Sequence, residues 1–182
     1  MLNVIFFVAG SAGGSLLLWL PKSWSSNLSR VYRFLAFELL LGLALLTRDR
    51  WLAAPWSVPQ VISWIFWAAG CLLAGLGLFR RPSGAALAQE SEAAPALPPP
   101  RGIYRRVRHP FYAAALFLGW GLFAKSLTPF DNTALLYAFL LTGVSLFLVS
   151  AARADETSDY LKFGSAYALY VRSSKMLIPF IL

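Results

Sequence analysis

Cysteine and histidine each occur once in this chain. With Cys71 alone, no disulfide can close within the chain and no thiolate cluster can hold zinc. With His109 alone, no multi-histidine centre can form, so a metal-dependent mechanism is not expected. Charge is scarce too. Only 13% of the residues are charged, whereas an ordinary soluble domain carries about 25%. A soluble domain of 182 residues would expose more surface than so few polar side chains can cover. The chain is instead 58% hydrophobic, and its charges are clustered.

Long apolar runs lie between the clusters. A membrane-crossing helix needs about 20 apolar residues, roughly 17–25. Leu2–Leu20, Trp51–Phe79 and Asn132–Ala152 carry no charge at all. Phe34–Leu46, interrupted only by Glu38, and Phe111–Ala124, bounded by Arg108 and Lys125, read as two shorter spans. The expected fold class is therefore all-α: a polytopic transmembrane helical bundle of about five spans with a cytosolic C-terminal amphipathic helix. It forms one membrane domain over residues 1–182. Three spans fall in 1–79, a cytosolic loop in 80–100, and two spans and the C-terminal helix in 101–182. Leu2–Leu20 lacks the basic residues that precede the core of a signal peptide, so it counts as the first span. Its Gly10 and Gly14 are spaced for close helix packing.

The net charge of +8 raises the question of nucleic acid, but in a membrane protein basic residues set orientation, and no nucleic-acid partner is expected. With the 80–100 segment in the cytosol, thirteen of the sixteen Lys and Arg residues face inward. Only Arg48, Arg50 and Lys125 face outward, and the N-terminus is external. Trp19, Trp24, Trp51 and Trp56 flank the spans as an aromatic belt does. The loop itself ends in Pro98-Pro99-Pro100, which favours an extended form.

After that loop the composition changes abruptly. Arg101–Tyr112 holds four arginines, two tyrosines and the single histidine. Pro110 suits the first turn of a helix, where its missing N–H costs nothing. The segment then runs straight into the fourth span, and His109 and the neighbouring backbone N–H groups sit at a helix N-terminus. Such an end suits a carboxylate or phosphate. On charge alone, attraction of a juxtamembrane basic patch to anionic lipid is the plainer explanation of the arginines; His109 and the acids of the tail favour a binding site.

The tail supplies the counterpart. Asp155, Glu156 and Asp159 fall in the first turns of an expected tail helix beginning near Arg153, where acids suit the helix dipole. Tyr160, Phe163, Tyr167 and Tyr170 recur at spacings of three and four, a stripe along one face. A helix lying in the membrane interface would show the same stripe. Folded back over the start of the fourth span, it would set acids against arginines and build an aromatic wall. Glu38, a carboxylate inside a span, is a further candidate, with a snorkelling pair to Arg33 as the plainer explanation.

These two segments resemble the isoprenylcysteine carboxyl methyltransferases and their phospholipid methyltransferase relatives. The first signature of that family, Gly-x-Tyr-x-x-x-Arg-His-Pro-x-Tyr, reads here as Gly102, Tyr104, Arg108, His109, Pro110 and Tyr112. The second reads as Asp155-Glu156, Phe163-Gly164, Tyr167, Tyr170 and Pro179. The similarity covers Arg101–Leu182. It implies a methyltransferase that uses S-adenosyl-L-methionine in a cytosol-facing pocket and takes a lipid-like or lipid-linked hydrophobic acceptor from the bilayer. On that resemblance, Arg108, His109 and Arg153 are the catalytic candidates. Tyr104, His109, Pro110, Tyr112, Glu156, Phe163 and Tyr167 are the cofactor-binding candidates, and Glu38 and Tyr170 the acceptor-binding ones. Asp155, Ala114 and Asp159 depart from the family's usual residues and leave the acceptor class open. The membrane sterol reductases, which use NADPH, resemble the chain in the same two regions through Asp155-Glu156 and Lys162-Phe163-Gly164. A non-catalytic lipid-binding protein is the third reading.

Overall fold

A computed structural model of the chain describes residues 2–19, 27–79, 100–127 and 133–178. Within them lie six α-helices: α1 (Leu2–Trp19), α2 (Asn27–Leu46), α3 (Val58–Phe79), α4 (Pro110–Ser126), α5 (Thr133–Phe163) and α6 (Ser165–Ser173). Among the described residues the only strand-like pairing is one parallel bridge, Val107 with Lys175. The all-α expectation therefore holds. Of the expected 80–100 loop, residues 80–99 lie outside the described residues, Pro98 and Pro99 among them, as do Trp24 and the end of the tail from Pro179 onward.

The five apolar runs each coincide with one of the first five helices. By length and composition, two of these are long and apolar enough to cross a membrane: Val58–Leu78 and Thr133–Phe163. α2 carries Arg30, Arg33 and Glu38, and α4 is 17 residues long. The span count on this criterion is therefore two, where the apolar runs alone suggest about five. α5 is the longest element. Its 31 residues rise about 46 Å, well beyond a hydrocarbon core of about 30 Å. Its apolar stretch ends at Ala152, and Arg153–Phe163 continues the same helix as a polar extension.

This continuity corrects the expected tail. Asp155, Glu156 and Asp159 lie in the last turns of α5 and not in the first turns of a separate helix. No residue between Ala152 and Phe163 breaks a helix, so the chain runs on until Gly164. There φ is +53°, a conformation open to glycine, and the chain turns into the short α6.

Small residues set the packing. α4 lies against α3 on one side and near α2 and α5 on the other. Leu73 of α3 packs with Val107, Ala113 and Ala114 in one cluster. Ala36, Leu116, Val144 and Leu148 form a second, and Leu43, Leu122, Tyr137 and Leu141 a third. Gly121 faces the Trp67 ring so closely that an added Cβ would lie 2.3 Å from it. Gly10 and Gly14 of α1 face Leu41 and Phe37 of α2, the close approach their spacing predicts. One end of the bundle is tied by cations on carbonyls: the Lys125 ammonium donates to the Ala53 carbonyl, and Arg50 donates to that of Ser126 at 2.6 Å. The other end carries the basic segment and the polar extension of α5.

Candidate functional site

The site is built where the chain enters α4. Gly102, with φ of +58°, opens a 3₁₀ turn over Gly102–Arg105. Pro110 is the first residue of α4, as its fixed φ favours, and His109 stands at the N-cap position. The stretch between them is held by the tail through backbone pairing. Lys175 N–H donates to Arg106 O at 2.9 Å, Arg108 N–H to Lys175 O at 2.8 Å, and His109 N–H to Met176 O at 3.1 Å. The tail therefore does fold back over the start of the fourth helix, by a short parallel bridge after α6. No residue pattern in the sequence announces that bridge, because its hydrogen bonds come from the main chain.

Arg108 is the hub. Its Nε donates to Glu156 Oε1 at 2.6 Å, and one terminal nitrogen donates to Ser174 O at 2.5 Å and Val171 O at 3.3 Å. The pair is largely enclosed, with side chains 8% and 14% exposed. His109 Nε2 stands 3.5 Å from the same Glu156 oxygen, too far for a strong hydrogen bond. The His109 ring lies parallel to that of Tyr112, with centroids 5.3 Å apart. Tyr112 O–H donates to Asp155 Oδ2 at 2.6 Å. Asp155 Oδ1 and His109 Nε2 are buried without a hydrogen-bond partner. Two orphaned atoms, one acceptor and one imidazole nitrogen, thus face a cluster that is otherwise well paired.

The tyrosines close one side. Tyr160 at the end of α5 meets Tyr167 of α6 edge-on at 4.9 Å, and Tyr167 meets Tyr170 at 5.9 Å. The stripe read from the sequence survives the break at Gly164 because the turn brings the two helix ends together. Tyr170 O–H donates to Tyr104 O at 2.6 Å, and Tyr104 O–H donates to Gly77 O of α3 at 3.3 Å, so the wall is anchored to the bundle. Phe163 lies under the Lys162 ammonium, 5.2 Å from its ring centre.

The electrostatics follow from burial and neighbours. Burial alone would raise the Glu156 carboxyl, but the neighbouring His109 imidazole and the Arg108 guanidinium outweigh it and hold the group below the ordinary carboxylate range. Asp159 goes the other way, pushed up to about 6 by burial and by the neighbouring Asp155 and Glu156. Burial lifts Tyr170 to about 12 and raises Tyr167 as well, with Glu156 and Asp159 adding to the latter, so both remain neutral phenols.

The structure therefore brings together Tyr104, Arg108, His109, Pro110, Tyr112, Glu156, Tyr167 and Tyr170. It does not bring in Arg153 or Glu38. Arg153 is exposed on α5, and its side chain makes no ion pair or hydrogen bond among the described residues. Glu38 accepts a hydrogen bond from Ser11 of α1 at 2.6 Å, and its other oxygen is buried without a partner. The expected pair with Arg33 does not form. Glu38 faces α1, whereas Arg33 Nε reaches back to the Ser29 carbonyl. Asp155 and Ser174 were not among the sequence's site candidates. Asp155 had a signal in its place beside Glu156, and Ser174 had none, since it acts through its carbonyl.

No curated protein and no solved structure matches the chain. A family model does, over residues 34–174, a stretch that begins in α2, ends just after α6 and includes both arms of the site. On that match the chain belongs to a family of proteins of unknown function, DUF1295.

Proposed function

We propose that the protein is an S-adenosylmethionine-dependent methyltransferase with a hydrophobic, lipid-like acceptor. It would work at the cytosolic face of a membrane crossed by about five helices, with the N-terminus outside. The observation that carries this reading is the pair of orphaned buried atoms, His109 Nε2 and Asp155 Oδ1, beside Arg108, Glu156 and a tyrosine wall. A ligand bearing both an ammonium and a carboxylate next to a flat ring fits those groups. Asp155 and Glu156 would take the ammonium, His109 the carboxylate, and Tyr167 with Phe163 the ring. When bound, S-adenosylmethionine supplies a methyl group on a sulfonium, already activated for displacement.

The chain's own work is then to orient and to exclude water. Arg108, fixed by Glu156 and by the Ser174 carbonyl, sets the carboxylate's position. The bridge to Lys175 and Met176 covers the start of α4. A carboxylate or thiolate acceptor needs no base. An amine or hydroxyl acceptor does, and that role would fall to His109 with Arg108 alone holding the carboxylate.

The test is transfer itself. Purified protein incubated with methyl-labelled S-adenosylmethionine and a lipid extract is expected to place label in the organic phase. Lipid-dependent oxidation of NADPH without methyl transfer would favour the sterol-reductase reading instead, and activity with neither would favour a non-catalytic protein.

A further inference from the structure

A groove of about 480 Å³ runs between α4 and α5. Its walls are Trp120 and Phe123 of α4 and, on α5, Leu141, Thr142, Leu146 and Val149, and it ends at Arg153. That volume is in the range of sites that hold one small ligand. From Ala138 to Arg153 the α5 wall rises about 22 Å. One leaflet of a hydrocarbon core is about 15 Å deep. The groove therefore reaches from a membrane interface past the midplane.

Its chemistry is uneven in an informative way. Thr142 donates its hydroxyl to Ala138 O at 2.8 Å, and Ser145, also on the wall, donates to Leu141 O at 2.8 Å. Both hydroxyls are spent on their own helix, so the wall they contribute is effectively hydrocarbon. The only charge is at one end. Arg153 is exposed, and its guanidinium makes no ion pair or side-chain hydrogen bond among the described residues. Arg108 is committed to Glu156 and Lys162 lies over the Phe163 ring, and of the residues that line the groove Arg153 alone carries a charge. Arg153 is also the first residue past the apolar stretch of α5, where a headgroup would lie. A long apolar channel closed by one uncommitted cation complements an anionic headgroup on a hydrocarbon chain.

We propose that this groove is a binding site for one anionic phospholipid, its acyl chain along Trp120, Phe123, Leu146 and Val149 and its phosphate on Arg153. The proposal rests on the membrane placement of α5 and is independent of the methyltransferase reading. Arg153, which the sequence offered as a catalytic candidate, would then hold lipid.

Native mass spectrometry of the detergent-purified full chain tests it, with phosphatidylglycerol and phosphatidylcholine of matched acyl chains as probes. The wild type is expected to retain phosphatidylglycerol at least fivefold over phosphatidylcholine. Arg153→Gln should erase that preference while leaving some binding of both. Val149→Trp, which fills the groove without touching the cation, should remove both lipids. Thermal melting of each variant shows whether it is folded. Equal retention of the two lipids by wild type, or an unchanged preference in folded Arg153→Gln, would overturn the site. Binding of S-adenosylmethionine is read separately, so its absence would count against the methyltransferase and leave the lipid result standing.

Discussion

At the scale of single residues, the site depends on one carboxylate set between an arginine and a histidine. Glu156 is held below the ordinary carboxylate range by His109 and Arg108. A carboxylate depressed in this way stabilises the folded state above its unfolded pKa, about 4.3, and that contribution is lost as pH falls through the lower folded value. The wild type is therefore expected to lose thermal stability as pH drops below about 4. Glu156→Gln keeps the shape and removes the titration, so its melting temperature should depend less on pH over the same range. Equal pH dependence in the two would contradict the pairing with Arg108. The residue types of this cluster were readable from the chain, since a lone histidine among arginines and an acid pair stand out from so apolar a composition. The partners of Arg108 on Val171 and Ser174 were not readable, because a main-chain carbonyl leaves no mark on the side-chain sequence.

At the scale of elements, the site exists because α5 does not stop where its apolar stretch stops. The sequence suggested a break near Arg153, where polarity changes. Polarity does not end a helix, and the break waits for the positive φ at Gly164. The position of the acids followed from that one difference: they sit on a rigid extension of the bundle and not on a loose tail. The placement of α4 depends in turn on its small face. Gly121 admits the Trp67 ring and lies close to the Ser63 carbonyl, so any side chain there must move backbone or indole. Gly121→Val is expected to cost about 1–3 kcal/mol of stability through overpacking. It should appear as a lower melting temperature, whereas Gly13→Ala, where an added Cβ meets nothing, should not lower it. The small residues of α4 were visible in the sequence, but the ring opposite Gly121 could not be named until α3 and α4 were seen to pack.

At the scale of the whole molecule, the ends of the bundle have different work. One end is tied shut by Lys125 and Arg50 on backbone carbonyls. The other gathers the 3₁₀ turn, the start of α4, the polar extension of α5 and the tail into a single enclosed cluster. Residues distant in sequence, Tyr104 with Tyr170 and Arg108 with Glu156, meet there because α4 and α5 form a hairpin and α6 returns to its base. That hairpin was legible as two apolar runs between two polar signatures. The central claim is that this cluster binds S-adenosylmethionine. Isothermal titration of the purified protein with S-adenosylmethionine, S-adenosylhomocysteine and NADPH tests it most directly. The account predicts saturable binding of the first two, none of NADPH, and at least a tenfold loss of affinity in folded His109→Ala and Glu156→Gln. Wild-type affinity in both variants, or binding of NADPH alone, would contradict it.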